Sequence, residues 1–240
     1  MILAGVVAEE KVSGGGGGGG GATPALIAHT SVVTPGFESA GTPLTSAGID
    51  TTGAGFLVLF VDTYQAPQSY PLAISDSNNN QWHALSTVSG NHTGQLFYSY
   101  RAIAGGPVVV GPGHTFTLIQ ATCPFFVAVM CVEAWSGVQS SSDPLKSGSD
   151  QVLAGVLTGV SETPASTNDL IVMGTAGYGF GSVSIDTGFT ITDSSVAGGG
   201  FADSAAMAYL VAPSSGAVDP TWVTSATIQG SINGAVFKHA

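Results

Sequence analysis

The chain has 240 residues, of which 44% are hydrophobic and only 8% are charged, whereas an ordinary soluble domain carries about 25% charged residues. Four basic residues against fifteen acidic ones leave a net charge of -11. This balance argues against nucleic acid and anionic membrane surfaces as partners, because both are bound by clustered Lys and Arg. The length suits one β-sandwich, since such domains often run to about 200 to 250 residues.

A run of eight glycines separates the first residues from the rest of the chain. The run consists of Gly14, Gly15, Gly16, Gly17, Gly18, Gly19, Gly20 and Gly21. Glycine has the greatest backbone freedom, so the run can act as a flexible tether or as a ribbon packed closely on a neighbouring subunit. We predict that residues 1–25 form a glycine-rich anchoring arm and that residues 26–240 form a single β-sandwich domain.

The residues before the glycine run do not resemble a secretory signal. They lack a basic start, and Glu9 and Glu10 follow only a short apolar stretch. We therefore expect synthesis in the cytoplasm followed by assembly. The longest apolar stretch, Pro124 to Val132, is far shorter than the ~20 residues of a membrane helix, so no membrane partner is predicted.

From residue 26 onwards, short β-branched or aromatic runs alternate with Gly, Pro, Asn, Asp and Ser, a pattern typical of an all-β sandwich. We predict strands near residues 26–34, 55–63, 70–75, 81–86, 94–103, 114–120, 125–135, 152–160, 168–177, 183–192, 205–212 and 229–238. No segment shows a long helical period.

Two of these runs, Phe56–Val61 and Phe125–Val132, are apolar at every position. Such runs indicate central strands that are covered on both faces. The runs at 94–101 and 114–120 alternate between apolar and polar residues, which indicates strands with one solvated face. Cys123 and Cys131 would lie about 26 Å apart on one extended strand, so they cannot form a disulfide with each other.

Four stretches of the chain together resemble bacterial and phage β-sandwich modules, some of them concanavalin-like, that occur in virion, tail-fibre and cell-surface proteins. The stretches are Ala54–Val61, Ile74–Trp82, Glu133–Val138 with Asp143–Leu145, and Gly234–Lys238. The resemblance implies an antiparallel jelly-roll or concanavalin-like sandwich. It implies fold rather than activity, because the same fold carries many functions.

The sequence predicts no metal site and no cofactor. Asp76, Asn78 and Asn80 begin like a calcium loop, but the positions that an EF-hand fills with Gly and Glu are Gln81 and Thr87. A polar hairpin turn is the favoured interpretation. The five histidines show no pair at ligand spacing, although His83 and His92 could meet across a hairpin.

Three tryptophans, Trp82, Trp135 and Trp222, are candidate glycan contacts, because an indole face packs on the apolar face of a sugar. Glu133 and the loop from Ser136 to Asp143 could complete such a platform around Trp135. The competing interpretation, which we favour, is that a tryptophan at the end of a core strand packs over the edge of the sandwich.

The sequence also lacks the common catalytic motifs, including the nucleophile elbow, the Walker loop and His-Glu-x-x-His. Glu133 has no acidic partner two or four residues along its own strand, as a glycosidase strand would supply.

We predict a non-enzymatic structural or display protein of a bacteriophage virion, forming homo-oligomers and contacting other capsid or tail subunits. The alternative is a carbohydrate-binding adhesin or lectin-like module at the cell surface. The sequon Asn91-His-Thr93 is interpreted as a polar turn.

Overall fold

The computed structural model describes residues 21–64, 72–85, 87, 92–120, 125–139, 146–159, 161–179, 181–186, 188–197 and 203–240. Within these ranges the chain contains fifteen strands and no helix. The strands are β1 (Ala25–Val33), β2 (Glu38–Ser39), β3 (Pro43–Thr45), β4 (Phe56–Tyr64), β5 (Ala73–Asp76), β6 (His83–Ala84), β7 (His92–Ser99), β8 (Phe116–Ile119), β9 (Phe125–Ser136), β10 (Lys146–Thr158), β11 (Leu170–Tyr178), β12 (Val183–Ile185), β13 (Thr190–Val196), β14 (Asp203–Val211) and β15 (Thr221–Phe237). No helix long and apolar enough to cross a membrane occurs among the described residues.

The strands form three antiparallel sheets. The first runs β1-β9-β4-β7-β6, with β2 also paired to β9, and the second runs β10-β15-β11-β14-β13, with β12 also paired to β15. A third sheet of three short strands runs β3-β8-β5. The all-β prediction is confirmed, and the two large sheets pack face to face in a sandwich-like arrangement.

Strands β4 and β9 lie in the middle of the first sheet and are covered on both faces. One parity of β4, including Phe56, Val58 and Phe60, packs against the second sheet together with Val127 and Val129 of β9. The opposite parity of both strands packs against the short third sheet. The prediction that these two runs are central strands is confirmed, because every described residue of β9 up to Trp135 is buried and Tyr64 is the only partly exposed residue of β4.

The main differences from the predicted strands fall where side chains are small or polar. Strand β10 begins at Lys146 and β15 at Thr221, whereas the predicted strands began at 152 and 229. The two strands pair with each other from Lys146↔Val236 to Thr158↔Thr221. Backbone hydrogen bonding therefore defines these strands in segments where hydrophobic periodicity carries no signal.

A further difference is that the predicted strand at 183–192 is two strands, β12 and β13. They belong to the same sheet but pair with different partners, β15 and β14. Gly188, with φ of 103°, lies between them in a conformation that favours glycine, which explains the break.

Replacing Val129 with Asp tests the buried position of β9. Val129 is fully buried and lies directly opposite Asp62 on β4, so the variant would place a second carboxylate beside an existing one. We expect a loss of several kcal/mol in the free energy of unfolding. Chemical denaturation measures it, and Val223→Asp, at a strand position that is 44% exposed, is the control. Equal stability of both variants would show that β9 is not central.

Candidate functional site

Three titratable side chains from three strands meet between the two large sheets. Asp62 of β4 and His92 of β7 lie on adjacent strands of the first sheet, where Asp62 pairs with Gly94 and Tyr64 pairs with His92. Asp203, the first residue of β14, approaches from the second sheet. His92 Nδ1 lies 2.7 Å from Asp203 Oδ1 and 3.5 Å from Asp62 Oδ2. One oxygen or nitrogen atom from each residue can be chosen so that all three lie within 4.8 Å of one another.

Gly94 makes room for this polar cluster. A Cβ built on Gly94 would overlap the hydroxyl of Ser231 on β15 and would lie 2.8 Å from Asn233 Oδ1. The missing side chain therefore lets polar groups of the second sheet reach the first sheet beside Asp62. Apart from this cluster and Glu133, the same interface is filled mainly by apolar side chains.

Burial controls the protonation of the cluster. All three side chains are almost completely enclosed. Burial raises the pKa of Asp62, and the neighbouring charge of Asp203 raises it further. Burial also raises the pKa of Asp203, against the opposing effect of its hydrogen bond to His92. Burial alone would lower the pKa of His92, but the two carboxylates outweigh it and raise that pKa to about 10.

The hydrogen-bonding capacity of the cluster is only partly used. Asp203 Oδ2 accepts the backbone N–H of Tyr64 at 2.8 Å. Neither carboxylate oxygen of Asp62 makes a well-aligned hydrogen bond, although Oδ2 lies 3.5 Å from His92 Nδ1, and the buried hydroxyl of Ser231 has no partner. Buried polar atoms are normally paired, so these atoms leave the cluster able to bind a proton or a small cation.

Glu133 is a second buried carboxyl group at the sheet interface, and it is fully partnered. Its Oε2 accepts the indole N–H of Trp135 at 2.9 Å, and its Oε1 lies 2.7 Å from the hydroxyl of Thr192 on β13. The same hydroxyl lies 3.1 Å from the carbonyl oxygen of Met207. Burial raises the pKa of Glu133 to about 7. A protonated Glu133 can donate to Thr192, which leaves Thr192 free to donate to Met207.

The structure corrects two of the three predicted glycan contacts. Trp135 and Trp222 are fully buried, so neither indole offers a face to a sugar. Trp135 packs edge-on against Tyr209, with ring centroids 4.7 Å apart. This agrees with the favoured interpretation that the tryptophan has a packing role at the end of its strand. Trp82 is partly buried and donates its N–H to Asp76 at 2.8 Å, and its role as a glycan contact stays a prediction.

The segment from Asp76 to Asn80 forms a polar turn, as predicted, but the turn does not belong to a hairpin, because β5 pairs with β8 and β6 pairs with β7. Asp76 Oδ1 accepts the backbone N–H groups of Asn78 and Asn80, and Asn79 has a positive φ of 56°. His114 Nε2 lies 3.4 Å from the same oxygen. The carboxylate is therefore used to hold the turn.

The suggested meeting of His83 and His92 is wrong. His83 pairs with Tyr98, whereas His92 lies at the opposite end of β7 beside Tyr64.

The interpretation of the sequon as a turn is also corrected, because His92 and Thr93 begin β7 and are buried. Asn91 lies outside the described residues, as do Cys123 and Gly14–Gly20. Cys131 is buried as a free thiol.

Sequence reasoning missed the cluster of Asp62, His92 and Asp203 because its members lie far apart in the chain. One signal was present in β4, where Asp62 follows Phe56, Val58 and Phe60 at the same parity. That spacing places a carboxylate on a buried face. Nothing in the sequence indicates that His92 and Asp203 meet it there.

Comparison with known proteins gives no relative for the chain: no protein-family model, no curated protein and no solved structure matches it.

Replacing Glu133 with Gln tests the protonation of this buried group. Because its folded pKa is raised from 4.5 to about 7, the stabilisation from its proton is complete below pH 4.5 and is lost as the pH rises through 7. That loss is on the order of 3 kcal/mol, and Gln keeps a donor at every pH. We expect Glu133→Gln to match the wild type at pH 5 and to exceed its unfolding free energy at pH 8.

Urea denaturation at both pH values measures this difference. Glu38→Gln, at the partly exposed strand β2, makes the same change in charge and serves as the control. If Glu133→Gln were destabilised equally at pH 5 and pH 8, the carboxyl group would be ionised throughout and the interpretation would be wrong.

Proposed function

We propose that the chain is a non-enzymatic structural or display protein of a bacteriophage virion, anchored in its assembly by the glycine-rich arm. Its place would be that of a capsid decoration, head-fibre or tail-associated protein, and its sandwich would be of the jelly-roll or concanavalin type. The observation that carries the proposal is the backbone packing where the arm joins the sandwich.

At this junction the chain backbone lies against other backbone, without intervening side chains. A Cβ on Gly21 would overlap the carbonyl group of Ala240, and a Cβ on Gly137 would overlap the backbone of Thr23. Ala240 in turn donates its N–H to the carbonyl oxygen of Gly137 at 2.8 Å. Gly21 is the one glycine of the run within the described residues, and it already lies in a contact that excludes any larger residue. The end of the run therefore packs against the C-terminal residue of the same chain, and we propose that the arm packs in the same close way on a neighbouring subunit.

The low surface charge supports association with other subunits. At least six of the fifteen acidic residues are buried, namely Asp62, Asp76, Glu133, Glu162, Asp169 and Asp203. At most nine acidic and four basic side chains are then left for the whole surface. The cores of subunit interfaces are depleted of charged residues, so a sparsely charged surface suits contacts between subunits.

An open sheet edge supports the same proposal. Strand β10 spans thirteen residues and, among the residues that the structure describes, pairs with β15 alone. An edge of this length offers unpaired N–H and C=O groups to a strand of another chain. A homo-oligomer or a neighbouring virion protein would satisfy these groups.

The direct test is to search for the chain in phage particles whose genome carries its gene, after purification of the particles on a density gradient. Mass spectrometry and immunogold labelling with an antibody against residues 26–240 locate it. We expect a fixed number of copies per particle. Recovery only in the soluble fraction, with particles that lack the chain, would overturn the proposal.

Replacing Gly14–Gly21 with eight alanines tests the role of the arm. Alanine resists positive φ angles and adds a Cβ at each contact, so a packed ribbon cannot accommodate it, whereas a tether needs only length. We expect the variant to fold but to lose incorporation into particles. Insertion of eight serines between Ser13 and Gly14, which keeps all eight glycines, is the control. Wild-type incorporation of the alanine variant would show that the glycines are only a spacer.

A further inference from the structure

The cluster of Asp62, His92 and Asp203 has the donor atoms of a metal site. We propose that it binds one divalent transition-metal ion, of the zinc or manganese class, which links the two large sheets. Asp62 and His92 belong to the first sheet and Asp203 to the second. The ion would therefore bridge the sandwich from the inside.

The distances between the donor atoms suit a metal ion. Ligand atoms about 2.1 Å from an ion lie about 3.0 Å apart at a right angle and about 3.4 Å apart at the tetrahedral angle. The separations of 2.7 and 3.5 Å from His92 Nδ1 to Asp203 Oδ1 and Asp62 Oδ2 are close to these values. One donor atom from each of the three residues can be chosen so that all three lie within 4.8 Å of one another.

The unpaired atoms around the cluster point to a ligand. Asp62 is fully buried, yet neither of its carboxylate oxygens makes a well-aligned hydrogen bond, and Oδ2 lies 3.5 Å from His92 Nδ1. The buried hydroxyl of Ser231 also lacks one and enters the gap above Gly94, the residue opposite Asp62. A bound ion could be coordinated by both oxygens of Asp62. Alternatively, it could be coordinated by one oxygen of Asp62, with the hydroxyl of Ser231 as the fourth ligand. Glu133 shows the contrast, since each of its oxygens has a hydrogen-bond partner.

The ligand set selects the class of ion. One imidazole nitrogen with two carboxylates suits zinc, manganese or iron(II), whereas calcium and magnesium prefer sites built from oxygen alone. No thiol is among the three ligands, which disfavours copper(I) and iron–sulfur clusters. Two carboxylates and a neutral imidazole around a divalent ion also leave no net charge buried between the sheets.

The test uses the full chain, dialysed against EDTA and then titrated with Zn²⁺ or Mn²⁺ at pH 7.5. We expect one equivalent to bind and to raise the melting temperature by roughly 5 to 10 °C at a hundredfold excess over the dissociation constant. No stoichiometric binding of either ion would overturn the proposal.

Asp62→Asn removes a ligand but nearly preserves the shape of the side chain. We expect it to keep the melting temperature measured in EDTA and to lose the metal-dependent rise. The double variant His29→Gln/His239→Gln removes two exposed or partly exposed imidazoles and should keep that rise. The opposite result, a rise lost only in the double variant, would assign the binding to surface histidines and overturn the proposal.

X-ray absorption at the zinc edge keeps the proposal testable if Asp62→Asn does not fold. The wild type with one equivalent of zinc should show oxygen and nitrogen ligands at about 2.0 to 2.2 Å, with the scattering of a single imidazole. Two or more imidazoles, or none, would contradict a site in which His92 is the only histidine.

Discussion

Burial of β4 and β9 on both faces is the constraint on which the rest of the structure depends. Each strand needs an apolar layer on either side, so the first sheet requires the large second sheet beneath it and the short third sheet above it. Apolar contact across these interfaces is the dominant favourable term in such a fold. Any polar group on these two strands is then forced into a buried position and must find partners there.

The two carboxyl groups on these strands meet that requirement in different ways. Glu133 of β9 accepts a hydrogen bond from Trp135 on its own strand, and its proton can be donated to Thr192 of β13. Asp62 of β4 makes no well-aligned hydrogen bond and lies beside His92 and Asp203. The first arrangement is a closed structural network, whereas the second leaves unpaired oxygens that a cation can use.

An all-β fold with two central strands could be predicted from the sequence, because every residue of the runs at 56–61 and 125–132 is apolar. The sequence could not predict the starts of β10 and β15, where small and polar residues are held in strands by pairing alone. Trp222 is buried in an apolar cluster of the second sheet. The residue type alone does not indicate that this cluster surrounds it. Asp62 and His92 come together through the pairing of β4 with β7, and Asp203 joins them through the packing of the second sheet. No local sequence pattern indicates either contact.

The central claim is that the cluster of Asp62, His92 and Asp203 is a ligand site. A crystal structure of the full chain grown with Zn²⁺ tests it most directly. Anomalous diffraction data on both sides of the zinc edge would locate the ion without reference to any side-chain model. The account predicts one strong anomalous peak about 2.0 to 2.2 Å from His92 Nδ1 and from one oxygen each of Asp62 and Asp203. Peaks only at exposed histidines such as His29, with no peak between the sheets, would contradict it.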